Sequence, residues 1–84
     1  MINQDQHPIA WSTLMYDLED AKEHLTTLID TLHDECCTEE DFKVQISHIY
    51  AHLNRAWNNR DIQSDVTEQR WIVSSDFPKD IKPL

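Results

Sequence analysis

The stretch "WSTLMYDLEDAKEHLTTLIDTL", residues 11–32, decides the fold. Its apolar residues Trp11, Leu14, Leu18, Ala21, Leu25, Leu28 and Leu32 recur in alternating steps of three and four, and Met15 and Ile29 widen the stripe. At about 100° of rotation per residue, that spacing is one face of an amphipathic helix. Pro8 suits a first helical position, where its missing N–H has no intrahelical partner, so the predicted first helix covers residues 8–34.

The following "DECCTEEDF", residues 34–42, breaks the period. Thr38 can act as N-cap of a second helix, with Glu39, Glu40 and Asp41 placing negative charge at its positive end, although a capping box prefers Glu or Gln where Asp41 stands. That helix is expected over residues 39–59, with Phe42, Ile46, Ile49, Leu53 and Ala56 on one row and Tyr50 and Trp57 beside it. Two stripes joined by a short link predict an all-α fold, a long antiparallel helical hairpin within a single domain, residues 1–84.

Residues 60–84 form a C-terminal segment expected to be irregular or partly helical and to pack on the hairpin. Ser64 could cap a turn running through Val66 to Arg70, "RWIVSSD" (70–76) fits a strand, a helix end or an ordered tail, and "FPKDIKPL" (77–84) reads as extended.

A chain of 84 residues buries only about 60–65% of the surface it exposes when unfolded, so its core is thin. Small chains offset this with disulfides, a metal or association. The two cysteines, Cys36 and Cys37, are sequence neighbours and too close to bridge without strain. The start of the chain has no basic region followed by an apolar run, and no apolar segment is long enough to span a bilayer, so a cytoplasmic location is expected. Sixteen acidic against seven basic residues give a formal charge of −9, which disfavours nucleic acid and anionic lipid as partners. The absence of glycine excludes Gly-rich phosphate loops and the Ser-centred nucleophile elbow.

Two helices cannot enclose so wide a stripe. Its cover is expected from the C-terminal apolar residues Ile62, Val66, Trp71, Ile72, Val73 and Phe77, and from a second copy that completes a four-helix bundle. The candidate interface comprises Trp11, Leu14, Leu18, Leu25, Ile49, Leu53, Arg55, Trp57 and Trp71. Arg55, Trp57 and Arg60 of "NRAWNNR" (54–60) are of the types enriched at energetic centres of interfaces.

In "HIYAHLNRAWNNRD", residues 48–61, His48 and His52 stand four apart on the shoulder of the second helix's stripe. A link near residues 36 and 37 sets Leu25 level with His48 and Ala21 with His52, which brings His24 and Asp20 to the same flank. Neutral imidazoles with a carboxylate suit zinc or another first-row divalent ion. The competing account is a solvated row of histidines paired with acids.

Other constellations are weaker. His33, Cys36 and Cys37 resemble a soft-metal set, but neighbouring carboxylates oppose thiolate formation. Asp17, Glu19, Asp20 and Glu23 lack the matching acids on the second helix that a magnesium cage needs. The sequence therefore points to a small acidic, non-enzymatic protein-interaction module, a homodimeric helical bundle without catalytic residues or an expected cofactor. The alternative is a metal-binding helical protein using His24, His48 and His52 with Asp20. A second alternative is an acidic DNA mimic or immunity-type inhibitor, suggested by charge and size alone.

Overall fold

The structure, a computed structural model, describes residues 1–63 and 67–84. These are all-helical, without a strand: α1 spans Pro8–His33, α2 Glu39–Asn58 and α3 Glu68–Ser74. The two long helices pack against each other as a hairpin, and α3 lies on α2. No helix among the described residues is long and apolar enough to cross a membrane.

Local chemistry sets the helix ends. Pro8 opens α1, and His33 sits in its last turn, where a basic group suits the negative end of the helix dipole. The chain then reverses through Glu35, held at φ 56°. At the start of α2, Thr38 Oγ1 accepts the Asp41 N–H at 3.1 Å, and Asp41 Oδ2 accepts the Thr38 N–H at 3.2 Å. Asp41 thus closes a complete capping box despite its shorter side chain. In α3 the cap is Thr67, whose hydroxyl accepts the Arg70 N–H at 3.2 Å. Ser64 and Val66 of the turn expected from the sequence lie outside the described residues, and the ambiguous "RWIVS" segment is helical.

The inward row of α1 is Ala10, Leu14, Asp17, Ala21 and Leu28. The widest part of the predicted stripe is turned aside: Leu18, Leu25, Ile29 and Leu32 keep 40–46% of their surface exposed. The cause is a polar layer that divides the core. One apolar cluster holds Ile2, Ala10, Leu14 and Ala56 with Trp11 beside it; the other holds Ala21, Leu28 and Ile49 with Ile46 and Cys37 beside it. Between them lie Asp17, His52 and Arg55, each at most 5% exposed. Rotating α1 to bury Asp17 against these partners carries the leucines onto the flank.

The C-terminal segment packs on α2 mainly through polar contacts; of the apolar residues expected to close over the hairpin, Trp71 is half-buried against Arg55 and Phe77 meets Tyr50 edge-on, with ring centroids 6.2 Å apart. Ile72 and Val73 remain 64% and 61% exposed and Phe77 is exposed, whereas Ser74 is buried. Asn54 Nδ2 donates to the Ser75 carbonyl at 2.9 Å, Asn58 Nδ2 to the Ser74 carbonyl at 2.9 Å, and Asn59 Nδ2 to Ser74 Oγ at 3.1 Å. Arg70 donates to Asn59 Oδ1 at 2.8 Å and to the Asn58 carbonyl. A helix this short needs such anchors, because its own backbone hydrogen bonds barely offset the cost of ordering it. Further on, Asp80 accepts from Trp57 Nε1 at 2.9 Å and from Arg60 at 3.3 Å, which fastens the tail to the end of α2.

Candidate metal centre

The antiparallel pairing of α1 and α2 brings Asp20 and His24 of one helix against His48 and His52 of the other. One donor atom from each of the four lies within 4.8 Å of all the others. The imidazoles lie against one another: His48 and His52 stack with centroids 5.0 Å apart and planes 13° from parallel, and His24 and His48 centroids are 4.1 Å apart with planes tilted by 33°. The set is graded in depth, with His52 buried, Asp20 and His24 half-buried and His48 exposed. Four-residue spacing on each helix, repeated across the pair, places all four side chains on one flank.

His52 is the inner wall of the site. On the sequence it belongs to the shoulder of the stripe; in the structure it is only 3% exposed, because Asp17 and Arg55 draw that shoulder inward. Its Nδ1 lies 2.9 Å from Asp17 Oδ1 and 3.0 Å from Arg55 Nη2. These two neighbours want opposite tautomers, since the carboxylate needs an N–H and the guanidinium needs a lone pair. Asp17 is an acceptor only, whereas Arg55 has other acceptors: its Nε donates to Asp17 Oδ1 at 3.3 Å and its Nη1 to Ser75 Oγ at 2.8 Å. The Nδ1–H tautomer therefore satisfies the buried carboxylate. It leaves the Nε2 lone pair directed toward the cluster.

Nε2 of His52 is buried without a hydrogen-bond partner. Asp20 Oδ2 approaches it to 2.5 Å, but not in the alignment of an N–H···O bond. The same Asp20 oxygen lies 3.4 Å from His24 Nε2. This is the chemistry of a ligand set: a buried ring nitrogen, oriented by a carboxylate on its other nitrogen, and further donors around it. A tetrahedral zinc with bonds of about 2.0–2.1 Å spaces its donors about 3.3 Å apart, so to take an ion the Asp20–His52 pair, 2.5 Å apart, would have to open while the other donors, within 4.8 Å, draw in. The exposed member of the group, His48, has its pKa held below the ordinary 6.5, first by what burial it has and then by the neighbouring His24 and His52. Its neutral, metal-binding form is favoured accordingly.

The sequence named Asp20, His24, His48 and His52 but missed Asp17 as the group that orients His52. The available signal was a charged residue standing three after Leu14 and four before Ala21, within the inward row. Other candidates are dispersed. His33, Cys36 and Cys37 form no such cluster among the described residues, and each thiol donates to a backbone carbonyl, Cys36 to Asp34 and Cys37 to Thr38. Arg55 points inward to Asp17 and stacks 4.0 Å from the Trp71 ring, whereas Arg60 lies 3.8 Å over Trp57. Leu14 and Ile49 are buried, Trp11, Trp57 and Trp71 are half-buried, and Leu18, Leu25 and Leu53 are exposed.

No family model, no curated protein and no solved structure matches the chain.

Proposed function

We propose that this protein binds one first-row divalent ion, zinc foremost, between its two long helices. The ligands are Asp20, His24, His48 and His52. The observation that carries this reading is the convergence of four donor atoms, one each from Asp20, His24, His48 and His52, within 4.8 Å of one another beside the buried His52 ring. Two further features support it. The formal charge of −9 raises the local concentration of cations, and a core whose buried apolar residues include three alanines gains from an ion that links its helices. An ion at 1,000 times its Kd would add about 4 kcal/mol to the folded state.

The test is zinc competition against a chromophoric chelator, using protein purified without a metal-binding tag. One ion per chain is expected, with binding lost in a His24→Ala, His48→Ala double variant. Neither position is a deep core site, so the variant should keep its helicity. Absence of zinc from the parent protein, or undiminished binding by the double variant, refutes the reading.

A second reading concerns the opposite flank, as a homodimeric interaction module. Leu18, Leu25 and Leu32 of α1 turn away from the histidines, and grooves shared with α2 run beside them: Leu14 and Leu18 with Leu53, Ala56 and Trp57 at one end, and Leu32 with Phe42 at the other. A second hairpin laid on this face forms a four-helix bundle and leaves the metal site outside. Sedimentation should give a dimer that Leu18→Glu with Leu53→Glu converts to a helical monomer. A parent that stays monomeric at the highest attainable concentration removes this reading.

A further inference from the structure

Arg55 is buried inside the hairpin, yet two of its contacts belong to the C-terminal segment. Its Nη1 donates to Ser75 Oγ at 2.8 Å, and its guanidinium lies 4.0 Å from the Trp71 ring. On its other side Nε donates to Asp17 Oδ1 at 3.3 Å, the same oxygen that lies 2.9 Å from His52 Nδ1. One continuous path therefore runs from Trp71 and Ser75 through Arg55 and Asp17 to the imidazole whose Nε2 faces the cluster. Ser75 is itself held, since its hydroxyl donates to the Trp71 carbonyl at 2.8 Å.

We infer that α3 and the residue after it are a positioning element of the metal centre: Trp71 and Ser75 fix Arg55, Arg55 fixes the Asp17 carboxylate, and Asp17 holds His52 in its metal-binding tautomer. This rests on the metal reading of Asp20, His24, His48 and His52. The physical reason lies in the two claims on His52 Nδ1. When Ser75 and Trp71 hold the guanidinium, Arg55 has an acceptor and an aromatic face outside the imidazole, and Asp17 takes the Nδ1–H. When α3 leaves, Arg55 loses both, its Nη2 at 3.0 Å competes for the Nδ1 lone pair, and the proton is driven to Nε2, where it blocks the metal. The docking of α3 is polar and the helix is seven residues long, so it belongs to the parts of a fold that open at low cost.

Linkage makes the effect reciprocal: if docking of α3 tightens zinc binding, zinc tightens docking of α3 by the same factor. Outer-shell partners of metal ligands typically contribute 10–100-fold in affinity, which sets the scale at about tenfold here. The experiment measures zinc affinity in the full chain for the parent, for Trp71→Leu with Ser75→Ala, and for the conservative pair Trp71→Phe with Ser75→Thr, each checked for helicity. The first pair is expected to weaken zinc about tenfold, and the second, which keeps an aromatic face and a hydroxyl, to restore most of it. In the parent, zinc should slow amide exchange over residues 68–75 by a comparable factor.

Equal affinity in all three proteins, or α3 exchange indifferent to zinc, overturns the inference. If the parent still binds zinc and the His24→Ala, His48→Ala variant does not, that failure leaves the metal site standing. If the parent binds no zinc, both fall together.

Discussion

Asp17→Asn probes the polar layer with the least change of shape. Asp17 and Arg55 are 2% and 5% exposed, and the carboxylate accepts from Arg55 and faces His52 Nδ1 through one oxygen. The amide keeps the volume but removes the charge that compensates a buried guanidinium. Breaking one partner of a buried pair costs about 3–5 kcal/mol. The amide oxygen can still accept one hydrogen bond, and Arg55 retains Ser75 and Trp71, which places the expected loss at the lower end, about 3 kcal/mol. At about 0.05–0.15 kcal/mol per residue, the whole chain has about 4–13 kcal/mol to lose, so the variant should be visibly marginal.

Urea unfolding of metal-free protein, followed by far-UV circular dichroism, measures this loss directly, and the melting temperature should fall by roughly 12–24 °C. A cycle with Arg55→Met separates pairing from packing. Removing both charges should cost less than the two single losses added together, by 1 kcal/mol or more. A loss below about 1 kcal/mol for Asp17→Asn, or strict additivity in the cycle, would mean that the layer is wet and loosely held. The account of His52 as an oriented ligand would then be wrong.

Three other outcomes are expected. Glu35→Gly should stabilise the hairpin by about 0.5–1 kcal/mol in the same urea assay, because Glu35 sits at φ 56° in a chain that has no glycine to relieve that turn. Thr38→Ala should cost about 1 kcal/mol by removing the cap acceptor of the Asp41 N–H. His48 gives a pH dependence in metal-free protein: its folded pKa lies below 6.5, chiefly through burial and then through His24 and His52. The unfolded chain therefore takes up the proton first, and stability, complete above about pH 6.5, falls as acid is added through that value. The slope should be shallower in His48→Gln, as thermal melts across this range will show, and the exposure of His48 keeps the effect small.

The helices were legible because period, proline and cap agree locally. Steps of three and four mark both long helices, Pro8 opens α1, and Thr38 opens α2. The four-residue spacing of Asp20 and His24, and of His48 and His52, together with the antiparallel link, was enough to place these side chains near one another. What escaped was the rotation of α1. Counting hydrophobicity alone puts Leu18, Leu25 and Leu32 inward, whereas the fold turns Asp17 inward to meet Arg55 and His52. A buried ion pair across two helices is a tertiary fact, set by partners 35 and 38 residues away.

The same limit explains α3. Its apolar residues suggested a lid over the stripe, but Asn54, Asn58 and Asn59 offered the segment hydrogen bonds on another side of α2, and Ile72 and Val73 face water. Sequence hydropathy scores what a residue would like to bury. It does not score which neighbour supplies a matching donor.

The amide-lined seam between α2 and the C-terminal segment also shapes how the molecule comes apart. A joint held chiefly by asparagines and arginines, with Phe77 against Tyr50 as its aromatic contact, uncovers less oil when it parts than the hairpin does, so its opening should respond more weakly to urea. Separation of α1 from α2 bares both apolar clusters and the charged layer between them at once. The tail can therefore come and go in water many times for each occasion on which the hairpin itself is lost.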